Sequence, residues 1–166
     1  WGDVNSDNLP DLFVGDGGAS GSGLFLNMGN GFVQSGLIYD VRSLTHVRTA
    51  QFVDYNRDGL LDLFCLTNDA QSLHLLRQTS DHRFHEVVLL TGVKGNTPIR
   101  GAAWTDFDGD SDLDLLLSNH PDVPTMTWLR QSGSSFAEER GLDFPCTEPG
   151  AGALCIVDFD GDSDLD

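Results

Sequence analysis

Four nonapeptides hold most of the side chains in this chain that could do chemistry. They read Asp3-Val-Asn5-Ser-Asp7-Asn-Leu9-Pro-Asp11, Asp54-Tyr-Asn56-Arg-Asp58-Gly-Leu60-Leu-Asp62, Asp106-Phe-Asp108-Gly-Asp110-Ser-Asp112-Leu-Asp114 and Asp158-Phe-Asp160-Gly-Asp162-Ser-Asp164-Leu-Asp166. Aspartate or asparagine fills positions 1, 3, 5 and 9 of each. Oxygen donors at alternate positions of a tight loop suit a hard divalent cation. Ca²⁺ fits better than Mg²⁺, which wants a stricter octahedron and keeps several waters. Position 7 (Leu9, Leu60, Asp112 and Asp164) can offer its main-chain carbonyl, which leaves its side chain free to vary. Position 9 then closes the cage. All twenty of these positions are expected metal-site residues, and the expected load is three or four Ca²⁺ ions.

The loops differ in detail. Position 6 has to turn sharply, with positive φ. Gly59 suits that turn and Asn8 tolerates it, while Ser111 and Ser163 do so less well. Gly109 and Gly161, at position 4, can share the bend in the last two loops. The second loop therefore has the best turn chemistry. The third and fourth attract a cation more strongly, with one more carboxylate each. The first, with Asn8-Leu9-Pro10, is expected to be the weakest. The bland alternative is four acidic turns that bind nothing. Recurrence in register argues against it, because clustered uncompensated carboxylates repel one another.

The elements that position these loops recur with them. Loop starts at residues 3, 54, 106 and 158 are 51, 52 and 52 residues apart, a period that signals a repeat architecture. In each unit a short apolar run enters the loop (49–53, 102–105, 153–157) and an aliphatic run leaves it (12–14, 63–66, 113–117). A third run follows (23–27, 73–77, 125–130), then a fourth centred on Phe32, Phe84 or Phe136. Runs this short, punctuated by Gly, Ser, Asn and Asp, are strands, and no window has a sustained helical period. Four short strands per unit of this length is the count of one β-propeller blade. The expected fold is all-β: a partial propeller of four-stranded antiparallel blades, spanning 1–166 as one repeat region. It would hold three strands of one blade, two complete blades and the first strand of a fourth. A stacked β-solenoid is the runner-up, with shorter coils and metal motifs at closer spacing.

The formal net charge is −17, with nine Lys and Arg against 26 Asp and Glu. Such a surface is a poor partner for nucleic acid or anionic membranes. Fourteen of the 26 carboxylates lie at the four ligand positions of the loops, so much of the acidity reads as ligand charge. No stretch is apolar and long enough to span a bilayer. Trp1 and Asp166 each cut through a repeat, so the chain is expected to be part of a longer protein. Its cut surfaces would then expose apolar residues such as Trp1, Leu154 and Ile156 and favour self-association.

Residues 52–64 and 101–115 resemble FG-GAP/VCBS repeats, the Ca²⁺-binding repeats of integrin α-subunit-like propellers. Residues 24–32 and 136–142 add a resemblance to the cartilage acidic protein (ASPIC/UnbV) branch. That resemblance implies an extracellular or secreted propeller (periplasmic or cell-surface if bacterial), often seven-bladed, with ions on one face. A protein or carbohydrate partner would bind loops on the other. Here those are residues 16–22, 39–46, 68–71, 92–97, 120–124 and 145–150. The implied role is non-catalytic adhesion or ligand recognition. The alternative is an accessory or catalytic propeller of a secreted enzyme acting on polysaccharides or lipids.

Other groups carry less. His82 and His85 fall on opposite faces of a strand, which argues against zinc. The glycine-rich stretch 15–23 lacks the lysine of a phosphate loop and precedes a strand. Trp1, Phe52, Trp104 and Ile156 each lie two residues before a loop, at an expected core position, whereas Trp128 is ambiguous. Cys65 reads as a small buried hydrophobe, and a disulfide between Cys146 and Cys155 is open on the sequence alone. No catalytic triad or nucleotide motif emerges.

Overall fold

A computed structural model of the chain describes residues 1–16, 21–35, 41, 44–68, 73–87, 99, 101–118 and 126–139. The fourth loop, the strand expected at 153–157, Leu154, Ile156, Cys146 and Cys155 lie outside these residues. So do the expected partner loops 92–97, 120–124 and 145–150, and parts of the other three.

The described elements are all strands, in three antiparallel sheets. The first holds β1 (Leu12–Val14), β2 (Gly23–Asn27) and β3 (Phe32–Gln34), in that order. The second holds β4 (Val47–Val53), β5 (Asp62–Thr67), β6 (Leu73–Gln78) and β7 (Phe84–Val87), also in chain order. The third holds β8 (Gly101–Thr105), β9 (Asp114–Ser118), β10 (Met126–Ser132) and β11 (Ser135–Glu139), again a simple meander. This all-β arrangement is that of partial propeller blades: one lacking its first strand, then two complete. No helix among the described residues is long and apolar enough to cross a membrane, which leaves β-barrel spans unaddressed.

Burial follows strand order. β5 and β9 lie second in their sheets and are buried at every position. Their sequences are accordingly continuous apolar runs, Leu63-Phe-Cys-Leu66 and Leu115-Leu-Leu117. Exposure is greatest on the edge strands β3, exposed at every residue, and β11, exposed at all but one. Chain contacts divide the molecule into Trp1–Leu89 and Leu90–Asp166. In the first unit, Val4 and Leu24 cluster with Val47, Leu63, Cys65, Leu76 and Phe84. Fully burying one such aliphatic side chain contributes about 1.5–3 kcal/mol. Cys65 is a free thiol in this core, pushed up to about 12 by burial, and so behaves as a small hydrophobe.

The tryptophans divide. Trp104 is half-buried, edge-on to Phe136 with ring centroids 6.0 Å apart. Trp1 shares the repeat's core position but is 71% exposed, as expected for it in this chain, with an edge contact to Phe32. Val14, Met28, Phe32 and Val33 of the same sheet region are also exposed. Trp128 packs on Phe107 of the third loop, centroids 5.1 Å apart.

Candidate metal centre

Each described acidic loop is held by the residue pair that flanks it. Val53 pairs with Asp62 and Thr105 with Asp114, and the isolated bridge between Gly2 and Asp11 does the same for the first loop. Six residues inside the loops take left-handed backbone. At position 6 these are Asn8 (φ 67°), Gly59 (85°) and Ser111 (81°). At position 4 they are Ser6 (61°), Arg57 (57°) and Gly109 (73°). The position 6 bend and the part played by Gly109 match the sequence reading. The bends at Ser6 and Arg57 were not read, because neither residue type advertises positive φ.

These bends let the ligand side chains fold over the loop's own amides. In the second loop, Asp58 N donates to Asp54 Oδ1 (3.1 Å) and Gly59 N to Asp54 Oδ2 (2.9 Å). Asp58 N also donates to Asn56 Oδ1 (3.1 Å), and Leu60 N to Asp58 Oδ1 (3.0 Å). The first loop repeats all four bonds, from Asp7, Asn8 and Leu9 to Asp3, Asn5 and Asp7. The third keeps Asp110 N to Asp108, Ser111 N to Asp106 and Asp112 N to Asp110. Backbone bonds thus gather the oxygens of positions 1, 3 and 5 on one side of the turn.

In the third loop the gathering brings ligand oxygens of Asp106, Asp108 and Asp110 within 4.8 Å of one another. Asp106 Oδ1 is buried there without a hydrogen-bond partner. Three converging carboxylates, one with an uncompensated buried oxygen, fit a hard cation that takes only oxygen ligands. The Asp112 carboxylate turns away and accepts from Gly133 N at 3.1 Å.

Position 9 behaves differently. Asp11, Asp62 and Asp114 are fully buried. Each accepts two backbone amides that tie the loop to the third strand of its blade. Asp62 takes Tyr55 N (3.3 Å) and Gln78 N (2.7 Å). Asp11 takes Val4 N (3.0 Å) and Asn27 N (2.8 Å), and Asp114 takes Phe107 N (3.2 Å) and Gln131 N (2.9 Å). The sequence placed these residues as cage-closing ligands and missed this clamp. A carboxylate oxygen that accepts one amide has a second lone-pair position, so clamp and ligand are compatible roles. Gln78 also reaches back, donating from Nε2 to Val4 O at 2.7 Å, which links the second sheet to the first loop.

Burial pushes Asp62 up to about 7, against the lowering effect of its two amide donors, and Asp114 shifts upward for the same reason. Asp58 moves the other way. Burial raises it, but hydrogen bonds from Leu60 N, Asn56 and Arg77 outweigh that and hold it below the usual carboxylate range.

With this geometry in place, the likeness to known proteins is informative. The pattern of the FG-GAP-like repeat matches residues 3–65 and again 54–117. The chain belongs to the FG-GAP-like repeat family. Both matched spans begin at position 1 of an acidic loop, Asp3 or Asp54, and end inside the strand that leaves the next one. The chain is also 30% identical over 180 residues to cartilage acidic protein 1 of Mus musculus. That likeness covers 99% of this chain and 27% of the mouse protein, so the chain spans about a quarter of its relative. The clamp and the alternating oxygens are therefore how this FG-GAP-like chain builds its loops.

Proposed function

We propose that this chain is a Ca²⁺-binding propeller region of an extracellular protein, with structural ions in its blade loops and a non-catalytic role in adhesion or ligand recognition. The observation that carries it is the convergence of Asp106, Asp108 and Asp110 around an unpartnered buried oxygen, on a hydrogen-bond pattern repeated in the other described loops. Asp3, Asn5, Asp7 and Asp11, then Asp54, Asn56, Asp58 and Asp62, supply the matching sets, with the carbonyls of Leu9 and Leu60 at position 7. The fourth set, Asp158, Asp160, Asp162, Asp164 and Asp166, repeats the spacing of the third. The ions would cross-link each hairpin and add their binding energy to folding. Location outside the cell draws support from the family and from a relative whose name places it in cartilage. A protein or carbohydrate partner would bind the loops at the other ends of the strands, such as 16–22 and 68–71.

Terbium luminescence tests the metal reading at one loop. Trp128 packs on Phe107 within the third loop and is placed to sensitise a lanthanide bound there. Tryptophan-excited Tb³⁺ emission should appear, and Ca²⁺ should quench it at concentrations where Mg²⁺ does not. Absence of sensitised emission, or equal displacement by both ions, would count against the reading.

A further inference from the structure

Two arginines at the same register lie on the acidic loops. Arg77 of β6 directly precedes Gln78, whose amide the Asp62 clamp holds, and Arg130 of β10 directly precedes Gln131, held by Asp114. The clamp therefore fixes where each arginine falls. Arg77 Nη2 donates to Asp58 Oδ2 at 3.1 Å. Arg130 pairs through Nε with Asp108 Oδ2, and through Nη2 with Asp110 Oδ2 at 3.4 Å. The first loop has Leu26 at this register, directly before Asn27, whose amide Asp11 holds; Leu26 packs against the core.

The contacts fall on the oxygens a cation would need. A carboxylate oxygen offers two lone-pair positions. On Asp58 Oδ2 both are taken, by Arg77 and by Asn56 Nδ2 at 2.9 Å. On Asp7 Oδ2, among the described residues, the bond is from Asn5 Nδ2 at 3.0 Å. In the third loop Arg130 bridges two of the three clustered carboxylates, where asparagine cannot mediate as it does in loops one and two.

We propose that Arg77 and Arg130 are tethered counter-cations of the second and third loops: each guanidinium compensates ligand carboxylates when no ion is bound and lowers the loop's affinity for Ca²⁺ by holding the same oxygens. The inference rests on the reading that these loops bind Ca²⁺. It makes strand register a control of affinity separate from the ligand set. The first and second loops carry the same Asp-Asn-Asp donors and differ at this register, so the first is an internal control.

The test is a Ca²⁺ titration of the 166-residue chain followed by amide NMR, with Asn8, Gly59 and Ser111 reporting the first three loops separately. Arg77→Gln should shift the Gly59 midpoint to lower free Ca²⁺ by roughly three- to tenfold, the effect of one unit charge at a largely solvated site, and leave Asn8 unmoved. Arg130→Gln should do the same at Ser111. Arg77→Lys, which keeps the charge, should titrate near the parent. In chelator both glutamine variants should melt below the parent. Midpoints that stay put or move to higher Ca²⁺, or a lysine variant that behaves like glutamine, overturn the proposal while leaving metal binding intact. Loops that ignore millimolar Ca²⁺ in the parent remove the metal reading and this proposal with it.

Discussion

Asp62→Ala is expected to destabilise the chain by roughly 2–5 kcal/mol, and to do so in chelator as well as in Ca²⁺. The substitution strands the amides of Tyr55 and Gln78 in a fully buried position, and each unsatisfied donor costs about 1–3 kcal/mol. The cost is independent of any ion, which separates position 9 from the other ligand positions. The carboxyl also has a pH dependence with a definite sign. Its folded value of about 7 lies above the ordinary 3.8, so the folded state binds this proton more tightly than the unfolded chain. In chelator the stability from this group is complete below about pH 4 and is lost as pH rises through about 7. Urea melts of parent and variant at pH 4 and pH 7 check both points. A variant as stable as the parent in chelator at pH 4 would refute the clamp.

Ca²⁺ is expected to raise the melting temperature, and Asp58→Ala to blunt the rise. A ligand that binds only the native state stabilises by about 2.7 kcal/mol per site at a hundredfold excess over Kd. Asp58 is partly exposed and sits at position 5, with both oxygens turned to the loop interior or to Arg77. Its removal would therefore delete a proposed cation ligand without stranding a buried amide pair of the kind held by Asp62. The variant should lose about one site's share of the Ca²⁺-dependent increment, while its melt in chelator shifts less than that of Asp62→Ala. Equal melts with and without chelator in the parent would make the loops ordinary turns.

The strands were legible because each repeat writes them the same way. The runs at 12–14 and 23–27 coincide with β1 and β2, and β5 and β9 each begin at a position 9 aspartate. A loop of nine residues between paired strands needs a sharp bend, so the turn at Asn8, Gly59 and Ser111 could be read from its length and spacing. The second bend could not be read at Ser6 and Arg57, since Gly109 is the sole residue of the three whose type favours it. Position 9 was seen as a ligand from its charge. Its clamp joins residues 16 or 17 apart, and only the register of the third strand brings that amide to the carboxylate. The same register brings Arg77 and Arg130 to loops 19 to 22 residues before them, beyond any local motif. Trp1 shares its repeat position with Phe52 and Trp104, yet its expected exposure holds at 71%, and among the described residues the Phe32 ring meets it edge-on.

Calorimetric titration of the chelator-treated chain with Ca²⁺ tests the central claim most directly. Four loops of one spacing predict uptake of three or four ions, with little competition from Mg²⁺ at equal concentration. No heat and no uptake at millimolar Ca²⁺ would contradict it.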